Sequence, residues 1–152
     1  MFDIEPAWRI ADAVRAKERG AREVTEAALR RIEEGNPALN AFVHVAPEAA
    51  LAAAAEIDAR IARGEDPGRL AGVPIGVKDL APGAGMPFTT GSRVYADNIA
   101  TEDSIEVARL KAAGCVVLGK TNTPEFGYKG FTENRLFGAT RNPWNTDLTP
   151  GG

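Results

Sequence analysis

The chain has 152 residues, with 18 Lys and Arg against 21 Asp and Glu for a formal charge of −3. That length fits one ordinary domain or part of a larger one, and 44% hydrophobic with 26% charged residues is enough to build a core, which excludes a disordered tail. The slightly acidic balance also excludes a general electrostatic grip on nucleic acid or anionic lipid, which needs clustered Lys and Arg.

A single cysteine, Cys115, cannot close an intramolecular disulfide, and His44 is the one histidine, so neither a disulfide scaffold nor a zinc finger fits. No metal site is expected. The N-terminus carries acids from Asp3 onward with no basic start before an apolar stretch, unlike a secretory signal. The alanine-rich stretch is broken by Glu48, Glu56 and Asp58, which rules it out as an uncharged membrane span. A cytoplasmic location, with no membrane partner, is the expectation.

In chain order, residues 23–35 read as an amphipathic helix with Val24, Ala28, Leu29 and Ile32 on one face, ended by Gly35 and Asn36 ahead of Pro37. Residues 41–45 alternate as a short strand. A second helix opens at Pro47, carries Glu48 in its first turn and Arg60 and Arg63 in its last, and stops at Gly64; its inner stripe is Ala50, Ala54, Ile57 and Ile61. After the polar loop 64–69, residues 70–80 suit a buried strand that enters a turn at 82–87. Asp103, Ser104, Ile105 and Glu106 resemble a capping box that opens a helix ending at Gly114, and Cys115–Leu118 form a compact buried strand. The alternation of helix and strand predicts an α/β fold with a partly parallel sheet. From Thr121 to Gly152 the chain reads as Gly-, Asn- and Pro-rich loop, longer than loops without a function or linker role usually are.

Residues 114–121 match the phosphate-loop pattern G-x-x-x-x-G-K-[ST] letter for letter. Such a loop needs a strand before the first glycine and a helix beginning near the lysine. Here a helix precedes Gly114, strand formers fill the loop and Pro124 follows, so a nucleotide-binding module is kept only as a minor alternative. The only serines, Ser92 and Ser104, lie outside any G-x-S-x-G elbow and suit a turn and a helix start. His44 reads as a structural strand residue and Cys115 as core.

Lys78 stands apart, because it ends the apolar run Val73–Val77 and projects from the face opposite Val73, Ile75 and Val77, beside Gly76 and Pro74. Burial there would disfavour its charged form and make it a general base; the structural alternative is a surface lysine at a strand end with Asp79 as a solvated neighbour.

The run Leu70–Asp79 closely resembles the lysine segment of the amidase signature family, and the match continues in order through Thr90-Gly91-Ser92, Ala113-Gly114, Gly119–Asn122 with Glu125-Phe126, Phe137–Trp144 and Pro150-Gly151-Gly152. The resemblance implies hydrolysis of a carboxylic amide by a Ser–cis-Ser–Lys triad, and implies the N-terminal portion of the family's fold, a mixed central sheet flanked by helices, with residues 1–152 as an incomplete part of one amidase domain. Only the lysine carries over, as catalytic Lys78; in the family both serines follow the Pro-Gly-Gly. The 152-residue chain alone is therefore expected to be inactive, and to show apolar surface and open sheet edges unless the remainder of the domain is present. Similarity to family members also makes Tyr128, with Gly127, a substrate-binding candidate, against a loop aromatic packed on the sheet. No cofactor is implied, since a lysine and two serines move the protons. The partners implied are a small-molecule amide and, compatibly, a second copy in a homodimer. The amidase-like component of a glutamine-dependent tRNA amidotransferase is the related alternative; Gly91-Ser92-Arg93 and Lys129-Gly130-Phe131 depart from that component's usual runs and favour a stand-alone amidase on small or hydrophobic amides.

Overall fold

The computed structural model describes residues 5–152 as a mixed α/β chain. Four α-helices are present among the described residues: α1 (Ala7–Arg15), α2 (Ala21–Leu39), α3 (Pro47–Ala62) and α4 (Ile105–Ala112). Five strands accompany them: β1 (Phe42–Val45), β2 (Pro74–Lys78), β3 (Val116–Thr121), β4 (Glu133–Asn134) and β5 (Gly138–Ala139). Two compact units can be separated, and each is described by itself.

The first unit holds the described residues through Arg30 together with Ala46–Ile75 and Ala108–Leu118. Its core joins Ala11 of α1, Val73 and Cys115, with Ile10, Leu70, Ile75 and Leu110 packed around them. Helix α1 is an element the sequence reading did not anticipate. Pro6 precedes it without a side-chain cap and no acid stands in its first turn, so the start signal was weak; its buried residues are Ala11 and Val14. Helix α2 begins earlier than expected because its cap comes from another element. The carboxylate of Asp58 in α3 accepts the Ala21 and Arg22 N–H groups at 2.7 and 3.1 Å, satisfying two donors left open at a helix start. Helix α3 follows expectation: Pro47 stands at its start, and Ala50, Ala54, Ile57 and Ile61 are its buried residues.

The second unit comprises Arg31–Val45, Gly76–Val107 and Gly119–Gly152. Here the expected end of α2 is corrected, since the helix runs through Gly35, Asn36 and Pro37 to Leu39. The proline costs one backbone bond, but Asn36 offsets it: its Oδ1 accepts the Ala41 and Phe42 N–H groups at 2.8 and 2.7 Å, and its Nδ2 donates to Phe42 O at 2.9 Å. Asn40, at φ 50°, then takes the left-handed conformation that turns the chain into β1. Residues 121–152, read as loop, contain a short 3₁₀ turn (Glu125–Gly127) and the β4–β5 hairpin. Two-residue strands give no detectable alternation, which is why the sequence hid them.

The main sheet has the order β1-β3-β2. Strand β1 runs antiparallel to β3, pairing Phe42 with Thr121, His44 with Lys120 and Val45 with Gly119, with an irregularity between Phe42 and His44. On the other side, Val116 N–H donates to Val73 O at 2.8 Å and Asp79 N–H to Thr121 O at 3.0 Å; both chains ascend together, so β2 and β3 are parallel. The sheet is therefore partly parallel, as expected.

Helix α4 opens at Ile105, directly after Asp103 and Ser104, where the expected capping box places a helix start. The Ser104 Oγ is buried without a hydrogen-bond partner, while Asp103 Oδ1 accepts the Ala84 N–H at 2.7 Å and so ties down the preceding loop. No helix among the described residues is long and apolar enough to cross a membrane.

Gly114 ends α4 at φ 93°, and a Cβ built on it would lie 2.4 Å from Pro67 O and 3.0 Å from Ala71 Cα. Substituting Gly114→Ala is expected to lower unfolding stability by about 2 kcal/mol or more, read from the urea midpoint at constant slope. Burial pushes the neighbouring Cys115 thiol above its ordinary pKa, because the thiolate would have to be formed away from water. At pH 8 a thiol-specific disulfide reagent is accordingly expected to label Cys115 only as fast as the chain opens, and rapidly in urea.

Candidate functional site

Strand β2 carries Lys78, half-buried, at its last position. No hydrogen bond or ion pair engages its side chain among the described residues. The chain turns at once: Ala81 N–H donates to Lys78 O at 3.0 Å. Alternation along the strand buries Val77 and Asp79 on either side of it.

Asp79 is not the solvated neighbour of the alternative reading. It is fully buried, accepts the Thr89 N–H at 3.1 and 3.3 Å and the Thr89 hydroxyl, and faces the ammonium of Lys120 at 3.5 Å. Lys120 is itself at 0% exposure, donates to Ala81 O and lies 5.7 Å from the Phe88 ring centre. Desolvation lowers the Lys120 pKa, and the facing Asp79 carboxylate opposes that shift. This buried network escaped the sequence reading, which assigned Gly119-Lys120-Thr121 only to the rejected phosphate-loop pattern. The available signal was the period of β3, which places Lys120 on the inward face with Leu118 and Val116.

The phosphate-loop pattern fails in space as well. Residues 116–121 are strand, the Val116 N–H is spent on the sheet, and the Lys120 ammonium points into the protein. His44 is a half-buried strand residue opposite Lys120. Ser92 is buried at a turn, its Oγ accepting the Val94 N–H at 3.4 Å.

Other pieces of the ordered series are held together by amides. Asn134 Nδ2 donates to Asn122 Oδ1 and Thr123 O, both at 2.8 Å, while its Oδ1 accepts the Leu136 and Phe137 N–H groups at 2.9 and 2.7 Å. Asn122 Nδ2 reaches Thr140 Oγ1 at 3.0 Å, and the Thr140 hydroxyl donates to Asn40 O at 2.6 Å. Thr132 Oγ1 donates to Gly151 O at 2.7 Å, fixing the Pro150-Gly151-Gly152 segment on the same scaffold.

Gly127 and Tyr128 follow a kink. Phe126 has φ 52° and donates its N–H to Thr90 O at 2.8 Å, where Thr90 is also left-handed at φ 54°. The Phe126 ring meets Tyr95 edge-on at 6.3 Å. Gly127 at φ 69° admits the Leu80 methyl group, which a Cβ would meet at 2.7 Å. Tyr128 is 77% exposed, so the alternative of a loop aromatic packed on the sheet does not describe it. It borders a cavity of about 510 Å³ whose lining includes Glu125, Lys129, Glu133 and Arg135.

Comparison with known proteins gives a consistent picture. The family model described as Amidase matches residues 23–152. The A subunit of the glutamyl-tRNA(Gln) amidotransferase of Acidothermus cellulolyticus is 46% identical over 146 residues, covering 96% of this chain and 29% of that protein. Among solved structures, a bacterial aryl acylamidase of the amidase signature family superposes with a TM-score of 0.93 at 38% identity, over 97% of this chain and 31% of the other. A structure from a vestigial protein complex bearing on the origins of an s-triazine catabolic enzyme gives a TM-score of 0.93 at 40% identity, over 97% of this chain and 33% of the other. The chain thus spans about three tenths of the length of the curated relatives it matches.

Because Asn134 ties the hairpin's connecting residues to the Asn122–Thr123 segment, Asn134→Ala is expected to cost about 2 kcal/mol and to raise amide hydrogen exchange at Leu136 and Phe137 ahead of the sheet.

Proposed function

This chain belongs to the amidase family, and on that premise we propose that it is the N-terminal part of an enzyme that hydrolyses a carboxylic amide to an acid and ammonia or an amine, with Lys78 as its catalytic lysine. One observation carries the reading: the ordered family motifs converge on a fold in which Lys78 ends a strand half-buried, with no side-chain partner among the described residues to hold its proton elsewhere.

The chemistry follows from what a lysine can do there. As a neutral amine, Lys78 accepts a proton from a bridging serine, which in turn accepts the proton of the nucleophilic serine as that oxygen attacks the amide carbon. The proton returns along the same route to the departing nitrogen, leaving an acyl ester that water cleaves. Both serines belong to the remainder of the amidase domain, which the full-length polypeptide supplies. The reaction calls for no metal or organic cofactor. Tyr128 and Gly127 are assigned to the substrate side, and the charged groups around the cavity beside Tyr128 fit a small polar amide better than a long apolar one. The substrate is a soluble small molecule, the setting is the cytoplasm, and a homodimer is compatible with the reading.

A second reading is supported by the curated relatives that bear the amidotransferase name, at 46% identity. It predicts amide hydrolysis that depends on partner chains and on glutamine. A homogeneous polypeptide that turns over simple amides without partners removes it.

In the full-length polypeptide, Lys78→Ala is expected to lower kcat for a simple aryl amide by about 10³-fold while the thermal midpoint holds. Undiminished turnover in that variant would end the assignment.

A further inference from the structure

We propose that the buried Lys120–Asp79 pair is a positioning device for Lys78, clamping the turn that follows β2 so that the Lys78 side chain leaves the strand from a fixed backbone. The inference rests on the amidase reading of Lys78.

The clamp is built on the residue next to Lys78 and closes on several sides. Asp79 N–H is held by Thr121 O at 3.0 Å, and its carboxylate is held by the Thr89 N–H at 3.1 Å, by the Thr89 hydroxyl and by the Lys120 ammonium at 3.5 Å. Lys120 completes the loop by donating to Ala81 O, while Ala81 N–H returns to Lys78 O at 3.0 Å. The turn 78–81 is thereby tied at its first carbonyl, its second residue's amide and carboxylate, and its last carbonyl.

Stability alone does not account for such a pair. Taking both charges out of water costs about as much as their attraction returns, and apolar side chains of similar volume generally serve a core as well or better. What an ion pair with added hydrogen bonds gives, and an apolar contact does not, is one defined geometry. Strand alternation places Asp79 and Lys78 on opposite faces, and both members of the pair are fully buried, so the pair acts on the lysine through the backbone.

The test uses the full-length polypeptide with Asp79→Asn and Lys120→Met combined, which removes both charges at nearly constant volume. The expected result is a thermal midpoint close to the parent, kcat lowered about tenfold or more and KM within about twofold of the parent. Acylation of Lys78 by acetic anhydride, followed by peptide mass spectrometry, should speed up severalfold as the turn loosens. A kcat within about twofold of the parent, with unchanged Lys78 labelling, would overturn the proposal. Should the double variant fail to fold, Thr89→Val removes a single donor to Asp79 and is read in the same two ways, with the same outcomes supporting or overturning the clamp. The labelling needs no turnover, so it judges the clamp even if Lys78→Ala remains active and the amidase reading fails.

Discussion

Strand β3 has to be satisfied on both of its edges, and most of the described structure follows from that requirement. An extended segment presents donors and acceptors alternately to left and right, and leaving a buried one unpaired costs about 1–3 kcal/mol. Here β1 pairs with one edge in antiparallel register and β2 with the other in parallel. A parallel neighbour cannot be joined to β3 by a tight turn, so the long connection from Lys78 to Val116 is obligatory. That connection holds the Thr89–Ser92 turn and α4. The glycine at 114, with its positive φ, lets α4 hand over to β3 without a longer loop.

The elements legible in the sequence were those whose determinants are local. Helix α3 carries its proline, its acidic first turn, its basic last turn and its apolar stripe within its own residues, and its buried set coincides with the stripe. Strands β1, β2 and β3 were readable for the same reason, although β3 runs on to Thr121 because Lys120 interrupts the apolar pattern without interrupting the strand. The misses came from partners outside the element itself. The start of α2 depends on Asp58 in another helix, and its end depends on Asn36 gripping residues in β1 despite Pro37. Asp103 likewise reaches outside its own helix, accepting the Ala84 N–H, and the neighbouring Ser104 hydroxyl is buried without a partner. Rules that read one element at a time cannot see a cap supplied from 37 residues away.

The site shows the same division. Lys78 stood out because glycine and proline flank it in an apolar run, a purely local signal, and the family resemblance added the order of motifs along the chain. The asparagine network did not stand out. Asn122 and Asn134 read as loop residues, yet their amides supply the bonds that a two-residue hairpin cannot provide for itself. A loop so rich in Asn, Gly and Pro is ordered by side-chain to backbone bonds in place of a ladder, which composition cannot distinguish from a solvated loop.

The two lysines show most directly how position, rather than residue type, assigns chemistry. Lys120 lies within a string that reads as a nucleotide site, yet it is wholly buried and faces a carboxylate. Lys78 lies within a string that reads as a strand end, yet its side chain is half-buried and uncommitted among the described residues. A lysine held by a buried carboxylate and a carbonyl keeps its place, whereas one without such partners can turn to whatever group is brought to it. Parallel pairing of β2 and β3 sets both at the same end of the sheet, where the fixed charge can define the backbone from which the free one extends.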